Sequence, residues 1–413
     1  IEALCYFESQ REAIALDITR EMGRPLKQAR GEVDGLLERA RFLAGIAPGV
    51  LAPEQPGKKA GFEKAILHEP LGLVFVISAW NYPLLVTING VMASLLAGNT
   101  VLLKHATQTL AIGRHFVRAF GEIPGQEGLL EQAVVDHETA AGLMESREVD
   151  HVIFTGSVGG GRQVYSAAAR GLLDCQLELG GKDGAYVAAD ADLKRASAML
   201  VDGAMYNSGQ SCCGVERVFV HADHHDAFIE RCLPLVEAYR LGDPEQESTN
   251  LGPLASAANA DLLGRQVQEA IEAGAVLHCG GKKEVIGEGV FFQPTLLSEV
   301  RSGMAVMQEE NFGPILPVMK VAGDEEALGL INDTDYGLTS IIFTQSRDRA
   351  DWFCRGAKTG TVFMNRCDYL DPALPWTGWG LSGVGSALSK YGLLGVTRRK
   401  SMHFRLPSSP ARS

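Results

Sequence analysis

The feature that most constrains the fold is an alternation of short apolar runs with stretches of helical periodicity. Leu71–Ser78 is a continuous apolar run rich in Val and Phe, and it ends in Trp80–Asn81–Tyr82–Pro83. Leu84–Ala97 is apolar on most sides and reads as a buried helix, stopped by Gly98–Asn99. Thr100–Lys104 follows as a strand, Thr109–Gly121 as a helix, Leu129–Val135 as a strand and Thr139–Ser146 as a helix. Val149–Thr155 is a further strand, followed by a glycine-rich turn and another helix. Strands that are apolar throughout suit a parallel sheet covered on both faces. The alternation therefore predicts an α/β protein with a doubly wound sheet that delivers residues to its carboxyl ends. A second α/β unit begins after Glu178–Leu179–Gly180–Gly181, with a strand at Ala185–Val187 and helices at Leu193–Tyr206, Phe228–Tyr239 and Ala257–Ala273. Ser302 to Phe343 reads as strands with one helix. Ahead of all this, Ile1–Leu43 reads as two amphipathic helices broken at Gly23–Arg24–Pro25, and Phe62–His68 as an exposed strand.

Composition narrows the function classes. The 413 residues suggest two to three domains, and 46% hydrophobic with 21% charged residues excludes a disordered chain. Acids outnumber bases 50 to 38, a formal charge of −12, which argues against a nucleic-acid partner. No apolar run approaches the ~20 residues of a membrane span. The eight cysteines form no C-x-x-C pair, so a reducing, cytoplasmic setting is expected. His221, His224 and His225 read as surface histidines, and no metal site is expected. The chain opens on Ile1 inside a helical pattern, so its true start is expected upstream.

Five segments carry chemistry. In Tyr206–Asn207–Ser208–Gly209–Gln210–Ser211–Cys212–Cys213 a helix ends and Gly209 permits a sharp turn, so Cys212 can present its sulfur to a cleft. A buried structural thiol is the competing reading. Glu178, at an apolar strand end before Gly180–Gly181–Lys182, is either a desolvated general base or the partner of a nearby cation such as Lys182. Phe154–Thr155–Gly156–Ser157 with Gly159, Gly160 and Gly161 follows a strand and opens a helix. Its amides can meet a pyrophosphate, although a plain tight turn has the same pattern and no P-loop is present. Asn81 sits in a turn after a strand, where its amide can donate to an oxyanion. Glu310 and Phe312, in Glu309–Glu310–Asn311–Phe312–Gly313–Pro314, suit a ribose and a flat ring.

Together these segments resemble the NAD(P)-dependent aldehyde dehydrogenase superfamily. Trp80–Pro83, Ala97–Thr100, Phe154–Ser157, Glu178–Lys182, Gly209–Cys212 and Glu310–Pro314 stand in the family's order, and Glu178 and Cys212 lie 34 positions apart as the family requires. The resemblance implies Cys212 as nucleophile, Glu178 as activator of the deacylating water, and Asn81 with the Cys212 amide as oxyanion site. It implies a dinucleotide, NAD or alternatively NADP, held by Lys104, Thr107, Gly156, Ser157, Gly161, Glu310, Phe312 and Trp80. It implies an aldehyde tunnel of Tyr82, Asn89, Ser211, Leu370 and Trp376. A cofactor domain over residues 1–181, interrupted by a bridging hairpin at about 53–69, would be followed by a catalytic domain at 182–386 and an oligomerisation segment with a tail at 387–413. The bridging element would combine the Pro53–Glu69 hairpin with the C-terminal segment from Ala387, and a homodimer or homotetramer is implied, since such a hairpin adds to a neighbour's sheet.

Departures from the family pattern bear on specificity. Lys104–His105–Ala106–Thr107 lacks the glutamate that binds ribose hydroxyls and repels a 2′-phosphate, which leaves NADP open. Asn89 stands where relatives acting on acidic substrates carry arginine and betaine-aldehyde types tryptophan, which argues mildly against both classes. Arg366 reads as a solvated surface residue. An acylating, coenzyme A-dependent relative is disfavoured because Glu178 is present. A non-catalytic scaffold is disfavoured because Asn81, Glu178 and Cys212 are all intact.

Overall fold

In the computed structural model, which describes residues 2–407 apart from 122, 126 and 368, the chain opens with three helices. These are α1 (Glu2–Ser9), α2 (Arg11–Met22) and α3 (Leu26–Val50). The first of the two expected helices is thus divided at Gln10, and the second runs on through Pro48 in its last turn. Gly23 ends α2 at φ 84°, and a β-carbon there would lie 2.7 Å from the Pro253 carbonyl oxygen, so only glycine fits the break. The buried stripe of α3 contains Val33, Leu36, Leu37, Ala40 and Leu43, and also two charged residues, Glu32 and Arg39.

Next come β1 (Phe62–Pro70), β2 (Leu73–Ile77), α4 (Leu85–Leu96), β3 (Thr100–Lys104), α5 (Leu110–Phe116) and β4 (Leu130–Gln132). Then follow α6 (His137–Glu145), β5 (His151–Thr155), α7 (Val158–Arg170) and β6 (Cys175–Glu178). The strand expected at Leu129–Val135 is only three residues long. A π turn over Val117–Gly121 completes the helical stretch that α5 begins. The first sheet runs β6–β5–β2–β3–β4, all parallel. Chain order reverses between β2 and β5, so a crevice opens at their carboxyl ends, where open α/β sheets bind ligands. Gly383–Val384, expected within the second unit, instead pairs antiparallel with β6 at the edge of this first sheet. Two residues cannot carry a period, so that switch leaves no trace in the sequence pattern.

The second sheet has seven strands, in the order Thr361–Met364, Thr339–Phe343, Asp183–Val187, Val215–His221, Ile315–Val321, Thr295–Ser298 and Val276–Cys279. All neighbours are parallel except the last pair. Helices Ala305–Gln308 and Asp324–Ile331 both fall between Ser302 and Phe343, where one was expected. His225 is 2% exposed, not a surface histidine, because it starts the helix His225–Glu237 facing inward.

Residues 53–69 do not close into a hairpin of their own. β1 pairs along its whole length with Thr397–Arg405, antiparallel, so its partner is the distant C-terminal segment. Residues 53–61 add only the isolated bridges Glu54–Ile66 and Lys59–Phe62. Between Ala387 and that strand, the helix Ser389–Gly395 packs on α3 and α4. Among the described residues no helix is long and apolar enough to cross a membrane.

Candidate active site

The site grows from two backbone segments in contact. Glu178 ends β6, and Gly180–Gly181 carries the chain into the second sheet. A β-carbon on Gly181 would stand 2.2 Å from the Cys212 carbonyl oxygen, so glycine lets the two segments touch. On the cysteine side, Asn207 and Ser208 adopt left-handed φ values of 54° and 56°, and Gly209 one of 71°. This is costly for a non-glycine residue, and the Asn207 side chain offsets it. Its Nδ2 donates to the carbonyls of Asn81 at 3.1 Å and Gln210 at 3.0 Å.

Asn81 is 4% exposed, and its own Nδ2 donates to the Gln210 carbonyl at 3.3 Å, two residues before Cys212. The chain holding Asn81 is pinned by a buried ion pair. Arg24 donates to Glu32, to the Asn81 carbonyl and, at 3.0 Å, to Asn207 Oδ1. Glu32 accepts from the amides of Leu84 at 2.8 Å and Leu85 at 3.1 Å, at the start of α4. Sequence reasoning missed this pair. The signal was available, since Glu32 and Arg39 fall at helical spacing inside an apolar stripe.

Cys212 and Glu178 wall one cavity of about 670 Å³, together with Tyr82, Asn89, Ser211, Leu370 and Trp376. Glu178 has no contact with Lys182, whose Nζ donates instead to Glu216, the Val306 carbonyl and Asn311 Oδ1, each at 2.9 Å. Gln176 Nε2 donates to Glu178 at 3.2 Å. Burial pushes the Glu178 carboxyl up to about 7, against a smaller opposing pull from the Arg39 charge. Arg39 lines the same cavity and was not anticipated. Arg366 is exposed and lies over the Tyr369 ring at 4.2 Å.

At the sheet's switch point, Lys104 and Phe154 flank Ile77 in register on the two neighbouring strands. Lys104 is 7% exposed, and burial lowers its pKa while Asp136 opposes that shift. Thr107 is exposed just beyond it. Ser157 caps α7 by accepting from the Gly160 amide at 3.2 Å, while Gly161 packs on Leu179. A β-carbon on Gly156 would lie 2.6 Å from the tip of the Phe154 ring, so any larger residue there would require that ring to move.

Trp80 and Phe312 meet edge to face with ring centroids 5.7 Å apart. Glu310 accepts from the Gly181 amide at 2.9 Å, and burial, then the Glu216 charge, pushes its carboxyl up to about 7. Glu216, also missed in the sequence, accepts from the Asn311 and Phe312 amides and so fixes this segment with Phe312 at φ 53°. The crevice thus combines a buried lysine, an exposed helix N-terminus, a carboxylate and a pair of flat rings. That set fits a dinucleotide.

A sequence model of the aldehyde dehydrogenase family matches residues 2–402. The chain is 36% identical over 393 residues to an aldehyde dehydrogenase of Paenarthrobacter nicotinovorans, covering 94% of this chain and 85% of the relative. It is 34% identical over 385 residues to a succinate semialdehyde dehydrogenase [NAD(P)+] of Escherichia coli K12, covering 93% and 83%. The crystal structure of lactaldehyde dehydrogenase from Escherichia coli superposes with a TM-score of 0.93 at 32% identity, covering 98% of this chain and 85% of that one. Matched by the family model over residues 2–402 and by relatives over more than nine-tenths of its length, the chain belongs to the aldehyde dehydrogenase family.

Proposed function

We propose that this NAD(P)-dependent aldehyde dehydrogenase oxidises its substrate through a thioester on Cys212. The observation that carries this reading is the shared cavity of Cys212 and Glu178, on two segments held in contact at Gly181. The Cys212 sulfur adds to the aldehyde carbon, and the oxygen that becomes negative is stabilised by the Asn81 side chain and the Cys212 amide. When bound, the dinucleotide supplies the hydride acceptor that makes oxidation of this thiohemiacetal possible. Lys104, Thr107, Gly156, Ser157 and Gly161 would hold its adenosine and pyrophosphate end; Trp80, Glu310 and Phe312 would hold its nicotinamide end. Glu178 then takes a proton from a water that attacks the thioester, releasing the acid and restoring the thiol. Tyr82, Asn89, Ser211, Leu370 and Trp376 enclose the substrate chain.

The names of the relatives put succinate semialdehyde and lactaldehyde forward as starting points for a substrate panel. Coenzyme A is not needed, because Glu178 provides for water. The ribbon of β1 and Thr397–Arg405 supports a homodimer or homotetramer, since the mostly exposed C-terminal strand pairs with β1 alone among the described residues and leaves its outer edge for a neighbour. The eight cysteines, which form no disulfide among the described residues, support a cytoplasmic setting. Initial rates across short, long, aromatic and carboxylated aldehydes, with NAD and NADP separately and without coenzyme A, test the reading. Acid product and reduced cofactor in equal amounts are expected, and Cys212→Ala should abolish both. Undiminished turnover in that variant would refute it.

A further inference from the structure

We propose that Arg39 is an anion-binding group of the aldehyde cavity, so that the preferred substrate carries a carboxylate at the end away from its aldehyde. This deepens the reading above and rests on it.

Arg39 is 7% exposed and lines the cavity that contains Cys212. A guanidinium taken out of water needs partners, because an uncompensated buried charge is costly. Arg39 lacks them. Only Nη1 is bonded, to Asn89 Oδ1 at 3.1 Å and to the Leu85 carbonyl at a long 3.4 Å. Among the described residues no carboxylate lies within salt-bridge distance of Arg39, and its Nε and Nη2 meet no acceptor. Neither nitrogen is sealed into packed protein, so both open on the cavity.

The other charged groups of the cavity wall are engaged. Arg24 is paired with Glu32, and Asp34 with Arg11 at 2.7 Å. Glu38 accepts from the Tyr369 hydroxyl at 2.9 Å, and Asp202 from the Tyr239 hydroxyl at 3.3 Å. Glu178 takes its hydrogen bond from Gln176. Among the described residues of the wall, Arg39 is therefore the cation whose hydrogen-bonding capacity is left for a ligand, since all three Arg24 nitrogens are engaged. Nε–H and Nη2–H form the side of the guanidinium fork that meets the two oxygens of a carboxylate in parallel. Asn89 holds the opposite nitrogen and so aims that side. Asn89, which read alone argues against acidic substrates, thus orients a cation supplied by another helix.

The test compares ω-carboxylated aldehydes of three to six carbons with uncharged straight-chain aldehydes of the same length. The wild type should favour one carboxylated length over its uncharged counterpart by at least about 30-fold in kcat/KM, the scale of truncating a buried charge pair. Arg39→Gln should collapse that ratio, mainly through KM. Arg39→Lys, which keeps the charge but not the fork, should restore only part of it, and Asn89→Leu should weaken it without reversing it. Straight-chain dicarboxylates should compete with an uncharged aldehyde in the wild type and lose potency in Arg39→Gln. A wild type without the preference overturns the proposal, as does equal loss for both substrate classes in Arg39→Gln and Arg39→Lys, which marks a purely structural arginine. Failure to oxidise any aldehyde would instead remove the catalytic reading on which the proposal stands, a result told apart by the uncharged substrates.

Discussion

Glu178→Gln keeps the size of the side chain and removes its ability to accept a proton from water. With its carboxyl raised to about 7, Glu178 is ionised in about one molecule in ten at pH 6 and about nine in ten at pH 8. A raised pKa means the base form is lost as pH falls through 7, so thioester hydrolysis should rise about tenfold from pH 6 to pH 8 and then level. An unperturbed carboxylate, near 4.5, would give a flat profile over that range. In the variant, addition of Cys212 and oxidation still proceed, because neither requires the carboxylate to activate water. Rapid-mixing absorbance should therefore show a burst of about one reduced cofactor per site, followed by a steady rate slower by about 10²–10⁴-fold with no rise across neutral pH. A steady rate equal to the wild type would show that another group activates the water. Loss of the burst itself would show that Glu178 is needed before the thioester forms.

Thr107→Glu should penalise NADP far more than NAD in paired kcat/KM measurements, since a carboxylate there repels a 2′-phosphate; equal losses would mean Thr107 does not reach the ribose. Gly181→Ala forces a β-carbon to 2.2 Å from the Cys212 carbonyl, so activity should fall by more than about 10²-fold, with melting temperature reporting any loss of stability. Arg24→Met leaves Glu32 buried without its cation and frees the Asn81 carbonyl. Urea unfolding should show about 3–5 kcal/mol of destabilisation, and a change under about 1 kcal/mol would contradict a buried, dependent Glu32.

The parts legible in the sequence are those in which neighbours along the chain are neighbours in space. The run Leu71–Ser78 and its successors announce a parallel sheet because most side chains in them are covered on both faces. Trp80–Pro83, Glu178–Lys182 and Gly209–Cys212 each place their own turn and side chain. Arg39 was legible only as a charge inside the apolar stripe of α3; that Asn89 of α4 holds it is a contact between two helices that no local pattern encodes. Glu216 was hidden for a similar reason: it sits on a strand far from the Asn311 and Phe312 amides it holds. Gly383–Val384 crosses from one sheet to the other in two residues, and β1 finds its partner more than three hundred residues away; no local pattern encodes either pairing.

The strand that carries Glu178 is gripped from both sides. The Glu178 carbonyl accepts from the Gly156 amide at 3.0 Å, the Leu179 amide donates to the Ser382 carbonyl at 2.9 Å, and Gly181 abuts the Cys212 carbonyl. The main chain at Glu178 therefore cannot slide relative to that at Cys212 without breaking the sheet edge. Any approach or withdrawal of the carboxylate must come from rotation about its own side-chain bonds. Such rotations belong to a faster regime than the microsecond-to-millisecond hinge motions of whole domains. In the proposed mechanism, water activation would consequently be switched between oxidation and hydrolysis by this one side chain, without opening and closing of the cleft.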